Sequence, residues 1–366
     1  MSIEHHRLPN AVALLQRLIA VPSPSREESA TADIWENWLR EEGAVETKRI
    51  HNNVYAVAPG YDPAKPVLML NSHHDTVRPA ASWSRDPFSP DIVETAGERR
   101  LYGLGSNDAG ASGVALASTY LDLRENPGLP FNLILAITAA EEVMGEHGMR
   151  AFLPHLAVHG LTPDMVIVGE PTSMQPAIAE RGLLVFDCET RGISGHAARN
   201  EGVNAIYLAM EDIEALRRFA PEKTSDVLGP IKVSVTMIKS GTQHNVVPDC
   251  CTWVADVRTT DAYTNEETVT LLRDAVSHST LTPRSTRVHA SVIGEEHPLV
   301  RAAMACGGTP FVSPTTSDMA LMHGIPSLKI GPGESSRSHT ADEYVTLGEI
   351  NDALLGYADI LARLKL

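Results

Sequence analysis

The stretch PVLMLNSHHD (66–75) joins an apolar run to two histidines and an aspartate. Two similar runs follow, FNLILAITAAEE (131–142) and DMVIVGEPT (164–172), and a helix-like stretch (109–123) precedes them. Short, nearly continuous apolar runs are typical of strands that are covered on both faces. Strands alternating with helices predict a mostly parallel α/β sheet, whose functional residues belong just beyond the carboxyl ends of its strands.

The α/β character extends from these runs towards both ends of the chain. Before them we expect two amphipathic helices and one strand, at 10–23, 25–43 and 53–59. After an intervening segment we expect a helix, a short strand and a closing helix, at 298–306, 327–331 and 347–364.

The intervening segment, 175–292, changes to the pattern strand, helix, two strands, helix and strand, with its last strand in STRVHASV (285–292). The order β-α-β-β-α-β is the split unit of ferredoxin-like domains. We therefore predict two domains: 1–174 together with 293–366, and an inserted domain at 175–292.

Composition limits the function classes. The chain has 366 residues, of which 43% are apolar and 21% charged, and its net charge is −16. These values are typical of soluble globular proteins. The negative charge disfavours binding to nucleic acid or to an anionic membrane surface. Because no apolar stretch approaches a membrane span and the start of the chain lacks a secretory signal, we predict a cytoplasmic location.

The four cysteines show no metal-binding or disulfide spacing. They stand at Cys188, Cys250, Cys251 and Cys306. We expect reduced thiols, most of them buried.

Polar side chains follow the first apolar run. His73 and Asp75 are two residues apart, and such residues in an extended chain point the same way, so the ring and the carboxylate would face one site. His74 would then point away from that site.

Further carboxylates follow the other predicted strands. Asp108 lies in the glycine-rich turn LYGLGSNDAGAS (101–112), where small residues let the backbone approach a bound group. Glu141 and Glu142 end a buried strand, where two adjacent carboxylates repel unless a cation or a proton offsets their charge. Glu170 closes the next apolar strand.

His339 lies in the polar loop SRSHTADEY (336–344) and completes a set of two imidazoles and three carboxylates. Such a set suits a metal ion of hard to borderline character, which prefers oxygen and nitrogen ligands. This set is His73, Asp108, Glu142, Glu170 and His339. Two metals fit the set better than one if Asp108 is shared, because each ion then receives one histidine and one further glutamate. Glu141 remains uncommitted and is a candidate general base.

Six motifs, in this order, resemble the dinuclear zinc family of aminoacylases, acetylornithine deacetylases, succinyl-diaminopimelate desuccinylases and related carboxypeptidases. The motifs are NSHHDTV, LYGLGSNDAGAS, AAEEVMG, VGEPT, RGISGHAAR and SRSHTADEY. The resemblance covers nearly the whole chain and implies a hydrolase that cleaves an amide with two Zn²⁺ ions, for which Co²⁺ or Mn²⁺ are possible substitutes. It implies that His73, Asp108 and Glu170 hold one metal and that Asp108, Glu142 and His339 hold the other.

The resemblance also implies roles for residues beside the metals. Asp75 would orient the His73 ring, a role that metal-ligating histidines generally need, and Glu141 would be the general base. The inserted domain would be a lid and dimerisation surface in a homodimer. His196, from SGHAAR (194–199), would reach the partner subunit's active site and stabilise the oxyanion. The alternative for His196 is an ordinary polar turn residue.

Four further residues would contact the substrate. Asn245 and Arg258 match positions that contact the substrate carboxylate in relatives, and the planar fork of arginine suits that contact. Arg181 and Thr316 are similar candidates, with salt bridging and helix capping, respectively, as their alternatives.

Two sequence segments narrow the class of substrate that we expect. GTQHNVVPD (241–249) and GPGESSRSHTADEY (331–344) most resemble the branch of arginine biosynthesis that removes an acetyl or succinyl group from the α-nitrogen of ornithine or citrulline. Glutamate at position 170 favours a deacylase or carboxypeptidase over an aminopeptidase. A dipeptidase or carboxypeptidase and a succinyl-diaminopimelate desuccinylase remain alternatives, and the acyl group stays open.

Other classes have less support. Gly103, Gly105 and Gly110 do not have the spacing of a dinucleotide-binding loop, and Asp108 would face the pyrophosphate. The chain has neither a Walker lysine loop nor a G-x-S-x-G elbow. A binding protein on the same scaffold is the non-enzyme alternative, but it would be expected to lose Glu141 or a ligand.

Overall fold

The computed structural model describes residues 3–199 and 201–366. The chain forms two compact units. The first unit consists of Met1–Ile178, Ile293–Phe311 and Ser317–Leu366, and the second of Ala179–Val292 and Val312–Thr316. The sequence places the corresponding boundaries at 174/175 and 292/293, and it does not anticipate that the short segment Val312–Thr316 groups with the second unit.

The helices are α1 (Leu8–Ile19), α2 (Ser29–Glu41), α3 (Ala111–Leu123), α4 (Met149–Val158), α5 (Ala205–Arg217), α6 (Asn265–Asp274), α7 (Pro298–Ala305) and α8 (Leu347–Arg363). The strands of the first half are β1 (Lys48–Ile50), β2 (Asn53–Val57), β3 (Val67–His73), β4 (Ile92–Thr95), β5 (Glu98–Tyr102), β6 (Asn132–Thr138), β7 (Met165–Val168) and β8 (Ala177–Glu180). The later strands are β9 (Gly182–Arg191), β10 (Gly195–His196), β11 (Lys232–Ser240), β12 (Val246–Val247), β13 (Cys250–Thr259), β14 (Ser279–Pro283), β15 (Ser291–Val292), β16 (Phe311–Ser313), β17 (Ser327–Lys329) and β18 (Tyr344–Thr346).

The central sheet of the first unit has the order β1-β2-β6-β3-β7-β17. The four strands β6, β3, β7 and β17 are parallel, and β1 and β2 extend the sheet in antiparallel fashion. His73 on β3 lies opposite Thr138 on β6. The carboxyl ends of β3, β6 and β7 therefore meet at one edge of the sheet, and the predicted fold class is confirmed.

Both faces of this sheet are covered, which explains the continuous apolar runs. Leu68 and Leu70 on β3 pack into a core with α1, α2, α3 and α8. Met69, between them, packs on the opposite face with Phe152 and Leu156 of α4. Each fully buried side chain of this kind contributes ~1.5–3 kcal/mol. Helix α3 is buried almost all round, since it packs against α1, α8, β3 and β6.

The second unit contains an antiparallel sheet with the order β11-β13-β9-β14, and the connections β9-α5-β11-β13-α6-β14 are those predicted for the ferredoxin-like split unit. The predicted position of its last strand is wrong. That strand is Ser279–Pro283, where Leu281 is 2% exposed and pairs with Cys188 on β9. The sequence predicts the preceding helix over 265–279, but α6 ends at Asp274 because Ser279 already belongs to the strand, and of 285–292 only Ser291–Val292 is a strand.

The structure can also be compared with what the sequence predicts for the cysteines and for membrane-spanning segments. The four cysteines are free thiols, with Cys188 and Cys251 buried. Among the described residues, no helix combines the length and the apolar character that crossing a membrane requires.

Candidate metal centre

His73 ends β3 and is oriented by Asp75. Its Nδ1 lies 3.0 Å from the backbone oxygen of Asp75, and 3.5 Å from Asp75 Oδ1. If Nδ1 carries the proton and donates it to that carbonyl, Nε2 keeps its lone pair. Nε2 faces Asp108 Oδ1 at 3.1 Å and Glu170 Oε1 at 3.6 Å. The His73 side chain therefore directs Nε2 towards two carboxylates at the sheet edge.

Asp108 lies in a turn that begins after β5. Gly103 and Gly105 adopt positive φ angles of 142° and 77°, which favour glycine. A short kinked turn, Ser106–Gly110, follows and carries Asp108, whose own backbone is not helical (φ −116°, ψ 99°). The two carboxylate oxygens of Asp108 point in different directions: Oδ1 faces His73, and Oδ2 lies 3.6 Å from His339 Nε2. Asp108 thus stands between the two histidines.

The turn after β6 presents two adjacent glutamates differently. Glu142 faces His339, with 2.9 Å between Glu142 Oε2 and His339 Nε2. Glu141 is buried. The backbone N–H groups of Glu141 and Glu142 donate to the two oxygens of Asp75, at 3.0 and 3.2 Å. Ala140, at φ 55°, donates its N–H to Glu28 Oε1 at 3.1 Å. Two buried carboxylates, Asp75 and Glu28, therefore hold three successive amides.

These contacts gather the five predicted ligands at one edge of the sheet. One ligand atom from each of His73, Asp108 and Glu142 lies within 4.8 Å of the others. Glu170 contacts His73, and His339 contacts both Glu142 and Asp108.

The carboxylates of this cluster have opposing pKa shifts. Burial raises the pKa of Glu141 well above its ordinary value; the charge of His73 opposes this shift, and Glu170 and other carboxylates add to it. Burial also raises the pKa of Glu170 to about 8. Burial would raise the pKa of Asp108 too, but the hydrogen bond to His73 brings it below its ordinary value.

The pKa values of both histidines in the cluster are raised, which favours their charged form. The hydrogen bond to Glu142 raises the pKa of His339 to about 9. Burial favours neutral His73, yet its hydrogen bonds to Asp108 and Asp75 raise its pKa well above the ordinary value. Crowded carboxylates that draw protons onto their neighbours form an environment in which a cation is favoured.

The lid candidates lie in the second unit. His196 is exposed on β10, opposite Val246, and its Nδ1 accepts the N–H of Ala198 at 3.2 Å. Asn245 is also exposed, and its backbone oxygen accepts the N–H of Ala197 at 3.1 Å.

The remaining substrate candidates have defined local partners. Arg258 Nε and Nη2 donate to the two oxygens of Asp256, at 2.8 and 3.2 Å. Arg181 donates to the backbone oxygens of Leu228 and Pro230, so these contacts involve carbonyls rather than the carboxylate that salt bridging would require.

The structure can be compared with the capping alternative for Thr316 and with the predicted orientation of His74. The cap of the short helix Asp318–Leu321 is Ser317, whose hydroxyl accepts the N–H of Met319, so the capping alternative for Thr316 is wrong by one residue. His74 is buried and contacts Thr31 Oγ1 and the backbone oxygen of Asn52, each at 2.9 Å, away from the cluster as predicted.

Sequence reasoning missed four buried or half-buried residues behind the cluster. Ser25 donates to Asp75 Oδ2 at 2.7 Å, and Glu28 holds Ala140 as described. Asp318 Oδ2 accepts from Thr138 Oγ1 at 2.7 Å, and burial raises the pKa of Asp318 to about 6. The fourth residue is Glu343, which contacts the Asp108 turn. No local motif signals these contacts, because each joins segments far apart in the chain.

Comparison with known proteins identifies the family. The model of peptidase family M20/M25/M40 matches residues 69–364. An acetylornithine deacetylase of Edwardsiella ictaluri is 31% identical over 93% of this chain and 94% of its own, and a succinyl-diaminopimelate desuccinylase of Anaplasma marginale is 29% identical over 71% and 70%. A Bacillus subtilis protein described as a dinuclear metal-binding peptidase of the M20 family has the same fold, with a TM-score of 0.70 at 16% identity over 97% of both chains. The chain therefore belongs to the M20/M25/M40 family of peptidases.

Proposed function

We propose that this protein is a metal-dependent amidohydrolase that cleaves the amide bond of an Nα-acyl amino acid. The observation that carries the proposal is the arrangement around Asp108, whose two oxygens face His73 and His339 on opposite sides. Glu170 lies beside His73, and Glu142 lies beside His339. Each side thus offers one imidazole, one glutamate and one oxygen of the shared aspartate.

These donors fit a pair of divalent cations. His73, Asp108 and Glu170 would hold one ion, and Asp108, Glu142 and His339 the other. Nitrogen and carboxylate donors suit Zn²⁺, and the same set accepts Co²⁺ or Mn²⁺. Bound cations would also offset the burial and the carboxylate repulsion that raise the pKa of Glu141 and Glu170. We propose two Zn²⁺ ions as the resident metals.

The chain's own residues would then carry the proton transfers. When bound, the metals supply Lewis-acid polarisation and a lowered pKa for water. Glu141 accepts the proton of the attacking water and passes it to the leaving amine. Its burial and raised pKa favour holding that proton between the two steps. Asp75 keeps the His73 ring and the backbone of Glu141 in fixed orientation through its hydrogen bonds.

We also propose roles for residues of the second unit. In this proposal His196 donates a hydrogen bond to the developing oxyanion in the partner subunit's site, a contribution typical of oxyanion holes. Asn245 and Arg258 would contact the substrate carboxylate, with Arg181 and Thr316 as further candidates. The ion pair with Asp256 holds the Arg258 guanidinium in a defined orientation.

The second unit also supports a homodimer. Strand β11 lies at the edge of its sheet, where backbone groups are open to pairing. Met237 and Ile238 on β11 are 65% and 56% exposed, and Tyr207 and Met210 on α5 are 65% and 57% exposed. Apolar surface of this kind beside an edge strand is typical of an interface.

The substrate class we propose is Nα-acetyl- or Nα-succinyl-ornithine or -citrulline. The motif resemblance and the acetylornithine deacetylase at 31% identity support it. The experiment is a panel of these four compounds, succinyl-diaminopimelate and a dipeptide, assayed for free amine with zinc-loaded and chelator-treated protein. Chelator-sensitive turnover of an acyl-ornithine or acyl-citrulline is expected and would identify the acyl group. Preference for the dipeptide would move the activity to the peptidase branch, and no turnover would favour a binding protein.

A further inference from the structure

Glu343 is a buried carboxylate that belongs neither to the proposed ligand set nor to the proton-transfer steps. It is 2% exposed and lies four residues after His339, immediately before β18. Its Oε1 accepts two successive backbone N–H groups, those of Asn107 at 2.8 Å and Asp108 at 2.9 Å. Its backbone oxygen accepts the N–H of Gly103 at 3.0 Å. Glu343 therefore holds the turn of Asp108 at both ends.

A second set of contacts joins the same two segments. The Asn107 side-chain amide donates to the backbone oxygen of Glu334 at 3.1 Å, and its Oδ1 accepts the N–H of Glu334 at 3.0 Å. Tyr344, next to Glu343, pairs with Tyr102 across β18 and β5. The loop that carries His339 is thus attached to the Asp108 turn before and after His339.

The two sides of Asp108 are positioned by different means. On one side, His73 is 1% exposed, ends a central strand and is held by Asp75. On the other side, the His339 side chain is 53% exposed and comes from an irregular loop. The central strand supports only the first side, whereas the contacts of Glu343 and Asn107 join the loop of His339 directly to the Asp108 turn.

The burial of Glu343 is costly without such a role. A buried carboxylate close to Asp108 is unfavourable unless its hydrogen bonds compensate. The two amides that it accepts are adjacent, so one oxygen fixes both the position and the direction of the Asp108 backbone.

We propose that Glu343 is a positioning residue that sets the Asp108–His339 pair, so that its loss selectively weakens the metal held by Asp108, Glu142 and His339. The inference rests on the metal-binding role proposed above. Partners that orient metal ligands typically change metal affinity by about 10–100-fold when they are removed. The effect should be larger for the second ion, because both Asp108 and His339 depend on these contacts, whereas His73 and Glu170 keep the support of the central strands.

The experiment is a Co²⁺ titration of metal-free protein, followed by visible absorption and by metal content after dialysis. Wild type should bind two equivalents. E343A should bind one equivalent tightly and the second about 10-fold or more weakly, with a spectrum at one equivalent that matches the H339A variant rather than H73A. E343Q should restore the second equivalent, because its amide oxygen can still accept both N–H groups. E94A, which removes an exposed carboxylate from the neighbouring strand β4, is the matched control and should behave like wild type.

Several results would overturn the inference. If E343A binds both equivalents like wild type, or loses both equally, Glu343 does not selectively position the Asp108–His339 pair. E343Q that behaves like E343A would show that charge rather than hydrogen-bond acceptance matters. If E343A does not fold, E343D decides: its shorter side chain withdraws the shared oxygen, so unchanged binding would contradict the proposal. Wild type that binds no Co²⁺ would instead overturn the proposed function itself.

Discussion

Asp75 accepts the backbone N–H of Glu141 at 3.0 Å with the same oxygen, Oδ1, that lies 3.5 Å from Nδ1 of His73. One buried carboxylate therefore orients both a proposed metal ligand and the proposed general base. Its other oxygen accepts from Ser25 and from the N–H of Glu142. This arrangement couples β3 to the turn after β6, so a change at position 75 should affect metal binding and catalysis together.

Substitution D75N tests this coupling. Asparagine keeps the size of the side chain but replaces one acceptor oxygen with a donor, so one of the two amides loses its partner. We expect metal affinity to fall by about 10–100-fold and kcat to fall even at saturating metal. Metal titration and steady-state kinetics are the measurements. S25A, which removes one donor to Asp75 and leaves its acceptor oxygens in place, should have the smaller effect; equal effects would contradict the coupling.

Substitution E141Q tests the general base. Glutamine cannot take up the proton, so kcat should fall by about 10²–10⁴-fold while both metals remain bound. Metal content measured on the same sample separates loss of base from loss of metal. E146Q, an exposed glutamate in the same segment, is the matched control and should retain activity. Retention of more than about a tenth of kcat in E141Q would remove the base role.

Mixed dimers test whether His196 acts across subunits. E141Q and H196A homodimers should each be impaired, since each lacks one part of every site. A heterodimer would combine an intact base with an intact His196 in one hybrid site. Activity after subunit exchange should exceed the sum of the separate variants, measured with the preferred substrate. Absence of any gain, in samples where exchange is verified by differential tagging, would contradict the role in trans.

The stability of metal-free protein should depend on pH through Glu343. Burial, reinforced by Asp108, raises the pKa of Glu343 to about 8 in the folded state, above its value in the unfolded chain. The folded state therefore holds a proton that the unfolded state releases. This stabilisation is complete below the unfolded pKa and is lost as pH rises through about 8.

Chemical denaturation with a chelator present measures this contribution. The free energy of unfolding of wild type should fall with rising pH relative to E343Q, by up to about 1.4 kcal/mol per pH unit for one proton. Using the difference between the two proteins cancels the other titrating groups. Parallel pH profiles would contradict the raised pKa of Glu343.

Substitution I238K tests the proposed interface. A charged side chain beside the exposed Met237 on edge strand β11 should oppose pairing with a second copy. We expect the dimer to dissociate, as measured by sedimentation over a range of protein concentrations. V158K introduces the same charge at an apolar residue that is 84% exposed on α4 of the first unit and should leave the assembly unchanged. A dimer that persists in I238K would place the interface elsewhere.

The sequence alone predicted the parallel sheet and the side chains that gather at its edge. His73, Glu142 and Glu170 each follow an apolar run, and parallel strands bring their carboxyl ends to one edge, so proximity followed from the pattern. The order of helices and strands also predicted the split unit of the inserted domain. Its last strand was misplaced, because the short, polar segment Ser279–Pro283 becomes a strand only through pairing with β9.

Tertiary structure decided what supports the cluster. The contact of Glu28 with Ala140 joins residues 112 apart, and that of Glu343 with Asn107 joins residues 236 apart. Periodicity and spacing report local conformation and burial, so they identified which side chains point to the sheet edge. They carry no information about which distant carboxylate meets which backbone amide. That pairing depends on the three-dimensional path of the loops, because a buried N–H or carboxylate must find its partner wherever the folded chain places one.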